Sequence, residues 1–306
     1  MSTVTRAAPD RAPSLAILTY IDATPQMLEE FGWLYKSWIH SGNWLGSDIV
    51  AVCHPDVAAE LPDEPGVVKI PRAPLSGVGG PWEGYPFINS IGCLVGPHME
   101  GLADRYSHIL RTDADVFLTA GLRGYRPSFY TFGRGRYVQN AEVRAKIVAF
   151  AETLGLTHHG VYNCGSSMLG PAAGALTFLY NQFAICTHLN EAFRGDPGVW
   201  PGWSKNTMTM YAAEIVANHY RDAYLYNAYF NVLDFETYRD DDIAASNVLH
   251  IHALHSEAYW SKFIHRQGGY AGLPTADLDQ SRVNTYCHWI AATRADHIKA
   301  LCGYPW

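Results

Sequence analysis

The chain has 306 residues, with 29 acidic against 22 basic side chains and a formal net charge of −7. That length suits one large α/β domain with a full hydrophobic core and no covalent staples. The acidic balance, with no Lys/Arg run, excludes the basic stripe that neutralises nucleic-acid phosphates.

Residues 1–13 are polar and rich in Ala and Pro, and are expected to form a disordered tail. The apolar run Leu15 to Ile21 lacks polar alternation, which is how a strand buried on both faces reads. It is far shorter than the roughly 20 residues of a membrane span. It also has no small-residue cleavage site of a secretory signal. Thr24-Pro25 then supplies an N-cap with Pro at the first helical position, and Met27, Phe31, Leu34 and Trp38 follow at helical spacing before Gly42. Ile49 to Val52 reads as a second buried strand, Pro55 to Leu61 as a short helix and Val67 to Ile70 as a third strand. This β-α-β-α-β order predicts a parallel sheet with right-handed crossovers.

The Gly/Pro-rich stretch from Pro71 to Pro86 is long for a structureless loop, which marks it as functional. Phe87 to Leu94 and Pro97 to Ala103 read as helical, and His108 to Arg111 as a strand running on through Thr112 to Leu118. In the second half, Val161 to Leu169 and Val248 to His252 read as strands. Ala172 to Leu189 and Thr207 to Tyr220 read as helices. Six cysteines, Cys53, Cys93, Cys164, Cys186, Cys287 and Cys302, form no C-x-x-C pair. Reduced thiols in a soluble cytoplasmic protein are therefore the expectation, with no membrane span and no nucleic-acid partner.

Ligands of an open parallel sheet bind beyond the carboxyl ends of its strands. Asp113 and Asp115 stand there, between Ile109-Leu110 and Val116-Phe117-Leu118. If the strand persists, alternation sends both carboxylates the same way. Two such charges in an apolar run need a cation between them. Mg²⁺ and Mn²⁺ take one or two carboxylates together with diphosphate oxygens.

The stretch Leu110-Arg111-Thr112-Asp113-Ala114-Asp115-Val116-Phe117 resembles the Asp-x-Asp segment of GT-A glycosyltransferases, especially those reading Lys-Thr-Asp-Asp-Asp-Val-Phe. The resemblance covers about a third of the chain, through short motifs. It implies a GT-A-like mixed, mostly parallel α/β sheet with a Rossmann-like N-terminal half and helices on both faces. Residues 14–118 would be the nucleotide-binding half and 119–306 the acceptor-binding half of one catalytic domain. It further implies transfer of a hexosyl or pentosyl group from a nucleotide-diphosphate sugar to a hydroxyl of a glycan, peptide or small molecule. A UDP-sugar is the first expectation, with Mn²⁺ or Mg²⁺ on the diphosphate. Asp115 would be the principal metal ligand, and Asp113 would bind metal or the donor's hydroxyls.

Val248-Leu249-His250-Ile251-His252-Ala253-Leu254-His255 concentrates three imidazoles. His250 and His252 share one strand face. The resembling family keeps a late histidine ligand in a Val-x-His segment, which Val248-Leu249-His250-Ile251 matches best. Position near the strand end favours His252 or His255, so one of the three is expected on the metal. A zinc hydrolase with His-x-His ligands is an alternative, kept open by His158-His159, although no His-Glu-x-x-His is present. A sugar-binding GT-A protein without turnover is a third reading. Lys262 is placed to meet the leaving diphosphate, as a late lysine does in related transferases.

On the helix from Thr207 to Tyr220, Tyr211, Glu214 and Asn218 stack on one face. If that face lines the cleft, Glu214 is the candidate general base and Asp222 a weaker one. Tyr162-Asn163-Cys164-Gly165-Ser166-Ser167 resembles the Asn-x-Gly segment beside the donor sugar in GT-A families. That implies contacts from Asn163, Gly165 and Ser166. Thr19, Tyr20 and Asp22 end the first strand, where the family binds base and ribose. Asn89-Ser90 and Arg111 complete the expected donor contacts. Trp82, Trp200 and Trp203, in Gly/Pro-rich loops, are expected at the acceptor site.

Overall fold

The structure, a computed structural model, describes residues 11–220, 224–225, 232–254 and 256–306. Strand β1 (Leu15–Ile21) is buried along its whole length. Its alternate residues feed two separate cores. Leu15, Ile17 and Ile21 pack on one face of the sheet, and Ala16, Leu18 and Tyr20 on the other. This is why the run reads as unbroken apolar sequence rather than as alternation.

Helix α1 (Pro25–His40) begins where expected: Thr24 Oγ1 accepts the Met27 N–H at 3.2 Å and Pro25 fills the first turn. Strands β2 (Ser47–Cys53) and β3 (Val67–Pro71) add to β1 in parallel, joined by a single 3-10 turn at Pro55–Val57 where a short helix was expected. After the Gly/Pro-rich loop come the short helices α2 (Asn89–Gly92) and α3 (Leu102–Arg105). Then β4 (His108–Arg111) pairs with the other side of β1. The sheet order β3-β2-β1-β4 therefore reverses direction between β1 and β4, a topological switch point with its crevice at the carboxyl ends.

The strand does not persist through the acids. It stops at Arg111, the chain bends, and β5 (Val116–Leu118) joins a second, three-stranded sheet. Strands β6 (Tyr130–Arg134) and β7 (Cys164–Pro171) continue the main sheet antiparallel to β4, with helix α4 (Ala141–Thr153) between them. Helices α5 (Ala172–Ala192) and α6 (Met208–His219) cover the face that carries Ala16 and Leu18. Strand β8 (Tyr224–Leu225) ends the main sheet in order β3-β2-β1-β4-β7-β6-β8. Strands β9 (Phe235–Glu236) and β10 (His250–His252) complete the small sheet with β5. Helices α7 (Lys262–Arg266), α8 (Val283–Ala292) and α9 (Ala295–Cys302) close the chain, with α1, α8 and α9 packed in the core on the Leu15 face.

The architecture is thus the expected mixed α/β sheet, mostly parallel in its pairings, with helices on both faces. Of the expected tail, residues 1–10 lie outside the described residues. Arg11 donates to Trp44 O and pairs with Asp48 at 2.7 Å. The buried Asp48 carboxylate is completed by Arg105 at 2.8 Å and Tyr106 at 2.7 Å. All six cysteines are free thiols. Among the described residues no helix is long and apolar enough to cross a membrane.

Candidate active site

The carboxyl ends of β1 and β4 open into a cavity of about 480 Å³. Tyr20 and Asp22 reach it from β1, and Arg111, Asp113 and Asp115 from the end of β4. Gly165 and Ser166 line it from β7, and Thr209, Met210 and Ala213 from α6. His252, at the end of β10, and Lys262, at the start of α7, close the side formed by the small sheet.

The bend after Arg111 lets two different sheets present the acids and the imidazole to one point. Oxygens of Asp113 and Asp115 and a ring nitrogen of His252 all lie within 4.8 Å of one another. Asp115 is nearly buried, and its Oδ2 receives the Lys262 ammonium and faces His252 Nε2 at 3.3 Å. Burial alone would raise the Asp115 carboxyl. His252 and Lys262 outweigh it and hold the group well below the usual carboxylate range. Burial alone would likewise lower His252, but the Asp115 charge pushes it up to about 9. For Lys262 burial is again opposed, by Asp115 and then Glu30, and the ammonium is raised above its ordinary value. Arg111 is buried beneath this group. It pairs with Asp113 Oδ1 at 2.8 Å and donates to Ser90 O at 3.0 Å and to Ser166 O.

The residues present fit a hard divalent cation. Two carboxylates and one imidazole converge in a cleft, with Arg111 and Lys262 balancing the charge of the acids.

Of the two late histidines among the described residues, His252 is brought to the acids and His250 is not. His250 shares its strand face but lies two residues back, fully buried. Its Nδ1 accepts the Asp234 N–H at 3.0 Å, so Nε2 carries the proton and bonds Thr112 Oγ1 at 2.7 Å. Both nitrogens are engaged, and burial lowers its pKa to about 4. His250 is therefore a neutral strut, and the expectation of a metal ligand there is corrected. His255 and Asp222 lie outside the described residues. His158 is turned inward against Glu214, away from the acids, so it does not join a histidine metal site with His252.

The polar stripe of α6 is also corrected. Glu214 is fully buried and absent from the cleft lining. Its Oε2 accepts from Tyr137 Oη at 2.8 Å and from Asn163 N at 2.6 Å. Asn218 accepts the N–H groups of His159 and Val161, each at 3.0 Å. Tyr211 stacks on Trp203 with centroids 4.6 Å apart. The stripe anchors the segment leading into β7, and the neighbouring face of Thr209, Met210 and Ala213 meets the cleft. A general base at Glu214 has no access to an acceptor.

Several expected donor contacts are structural. Thr19 is fully buried, and Asn89 holds the Gly/Pro-rich loop by accepting from Leu75 N at 2.8 Å and Ser76 N at 3.2 Å. Asn163 adopts φ 65° and brackets Val138, its Oδ1 accepting Val138 N–H at 2.7 Å. Tyr20, Asp22, Ser90, Arg111, Gly165, Ser166 and Lys262 do line the cavity. Burial, with Asp22 adding, raises the Tyr20 hydroxyl far above its ordinary value. Trp82 and Trp203 are packing residues, Trp82 near Phe183 and Trp203 between Phe193 and Tyr211. Trp200 remains half exposed.

Two acids went unnoticed in the sequence. Glu30, on α1, lines the cleft and lies 3.6 Å from Lys262. Burial and then the Asp115 charge push its carboxyl up. Its signal was present, since Glu30 falls on the apolar face between Met27 and Leu34. Asp234 is the other, buried behind His252 with φ 52°.

The family model described as "Domain of unknown function (DUF7164)" matches residues 78–300, and the chain belongs to that family. No curated protein matches. Among solved structures, the chain is similar to the galactosyltransferase LgtC in complex with donor and acceptor sugar analogs. Identity is 12%, with 94% of this chain and 95% of that one covered at a TM-score of 0.45. An active-site mutant of LgtC gives the same figures. The apo structure of the bifunctional WbbM is similar at 12% identity and TM-score 0.45. There 96% of this chain covers 52% of the longer protein.

Proposed function

We propose that the protein is a metal-dependent glycosyltransferase that moves a sugar from a nucleotide-diphosphate donor, a UDP-sugar first, to an acceptor hydroxyl. The observation that carries this reading is the meeting of Asp113, Asp115 and His252 at the switch point, with Lys262 bonded to Asp115 at the cavity wall. Asp115 and His252 would hold Mn²⁺ or Mg²⁺, with Asp113 as a further ligand or a partner of the donor's hydroxyls. When bound, the cation supplies charge stabilisation on a leaving diphosphate.

The chain's own groups supply the rest. Tyr20 and Asp22 stand where β1 opens into the cavity and would receive the nucleoside. Arg111, locked by Ser90 and Ser166, sets the position of Asp113. The Lys262 ammonium shares Asp115 and is within reach of an anion in the same cleft. The buried Glu214 removes the one base expected from α6.

A thermal-shift screen of UDP-, GDP- and dTDP-sugars with and without Mn²⁺ tests this reading. A true donor raises the melting temperature, because binding adds about 2.7 kcal/mol of stability at a hundredfold excess over Kd. The rise is expected only with the metal. No shift with any nucleotide sugar in Mn²⁺ would sink the proposal.

A further inference from the structure

A second cavity, of about 410 Å³, adjoins the first. The two share Gly165, Ser166, Met210 and His252, so a molecule in the second would touch the wall of the first beside the acids. Three features of its lining are unexplained by the fold. Asp234 is only 2% exposed, and its Oδ1 makes no hydrogen bond among the described residues. The nearest groups to that oxygen are His250 Nδ1 at 3.6 Å and His252 Nδ1 at 4.0 Å. Tyr238 Oη and Ser166 Oγ are likewise buried without a hydrogen bond among those residues. Unsatisfied buried polar groups are costly, and a lined cavity that holds several is built for a ligand that satisfies them.

Trp200 gives the fourth feature. Its ring is 49% exposed at the cavity, yet its loop is pinned. Gly198 bridges Ser204, Lys205 N–H bonds Pro197 O at 2.8 Å, and Asn140 holds Pro201 O at 3.2 Å. A large apolar face held open on a fixed loop is an anchor rather than a fraying side chain. Charge narrows the ligand further. Arg136 at the rim is compensated by Glu236, with both contacts at 3.0 Å, and lies over the Tyr238 ring.

We infer that this cavity is the acceptor subsite and takes a neutral pyranoside, with its ring on Trp200 and its hydroxyls on Asp234 Oδ1, Tyr238 Oη and Ser166 Oγ. The hydroxyls donate to the Asp234 carboxylate, and the phenol and serine groups complete the set. This inference rests on the glycosyl-transfer reading for the name acceptor, but the binding itself does not.

The test is saturation-transfer NMR with methyl β-D-glucopyranoside, galactopyranoside and mannopyranoside, in the presence of diamagnetic Mg²⁺ and UDP. At least one is expected to bind at millimolar concentration. Trp200→Ala, at an exposed position, should weaken it about fivefold to tenfold. It should leave the Kd for Mn²⁺–UDP unchanged. Asp234→Asn keeps the shape and tolerates the left-handed backbone. It should weaken binding by about tenfold or more through loss of a charged acceptor. If Mn²⁺–UDP binds and no pyranoside does, the subsite is wrong and the transfer reading stands. The subsite is also overturned if UDP displaces the pyranoside or if both variants bind it as wild type does. Pyranoside binding that depends on Trp200, without any Mn²⁺–UDP binding, upholds the subsite and removes the transfer reading.

Discussion

Lys262, at the start of α7, and His252, at the end of β10, converge on a single oxygen, Oδ2 of Asp115. One carboxylate thus balances two basic groups, and a third acid, Glu30, stands 3.6 Å from the ammonium. With Asp115 engaged as a metal ligand, Lys262 would be left to meet an anionic ligand in the same cleft. Lys262→Met, which keeps the length of the stem, should lower the affinity for Mn²⁺–UDP by about tenfold, the loss of one charge-assisted contact. Calorimetric titration of UDP in Mn²⁺ checks this, and equal affinity would detach Lys262 from the diphosphate.

His250 makes stability depend on pH. Its pKa is lowered to about 4 in the fold, from an ordinary 6.5. The folded state refuses a proton because burial penalises the charged imidazole, whose Nδ1 already accepts from Asp234 N. Between pH 6.5 and 4 the unfolded chain binds a proton that the native one does not. The contribution is therefore full above about pH 6.5 and lost as pH falls toward 4. The loss amounts to about 3 kcal/mol over that window. Urea unfolding from pH 7 to pH 4.5 should show it, and His250→Gln should flatten that part of the slope. An equal slope in the variant would reassign the effect.

Glu214 should behave as a core residue. Glu214→Ala removes the partner of Tyr137 Oη and of Asn163 N–H. The expected cost is about 3 kcal/mol in urea unfolding. Mn²⁺–UDP affinity per folded molecule should not change. A stable variant with abolished transfer would return Glu214 to the chemistry.

Gly165 is constrained by what stands beside it rather than by a sugar. A Cβ there would lie 2.1 Å from Asp234 Oδ2 and 2.5 Å from the Gly133 carbonyl carbon. Neither neighbour is a free side-chain end, since Asp234 Oδ2 also accepts the Ser167 N–H at 2.9 Å. Gly165→Ala should cost about 2–3 kcal/mol through overpacking. A lowered melting temperature is the readout, and a melting temperature equal to wild type would contradict the packing.

Much of this was legible in the sequence. Unbroken apolar runs marked β1 and β2, and the Thr24-Pro25 cap placed the start of α1, because these depend on local chemistry. The Asp113 and Asp115 pair was legible for the same reason, as charge set in an apolar stretch. Their geometry was not. Alternation assumes one strand, whereas the chain leaves the main sheet at Arg111 and enters another at Val116. The histidines show a similar limit. Period two puts His250 and His252 on one face but says nothing of what each meets, and Asp234 and Thr112 come from elsewhere in the chain. The stripe on α6 was a true stripe that faced the segment before β7 instead of the cleft, a choice made by tertiary packing.

The central claim is that Asp115 holds a cation required for nucleotide binding. Its most direct test is calorimetric titration of UDP into the wild-type protein with Mn²⁺, with chelator, and into Asp115→Asn with Mn²⁺. The account predicts binding in the first case only, with the circular dichroism spectrum of the variant unchanged. UDP binding that survives both the chelator and Asp115→Asn would contradict it.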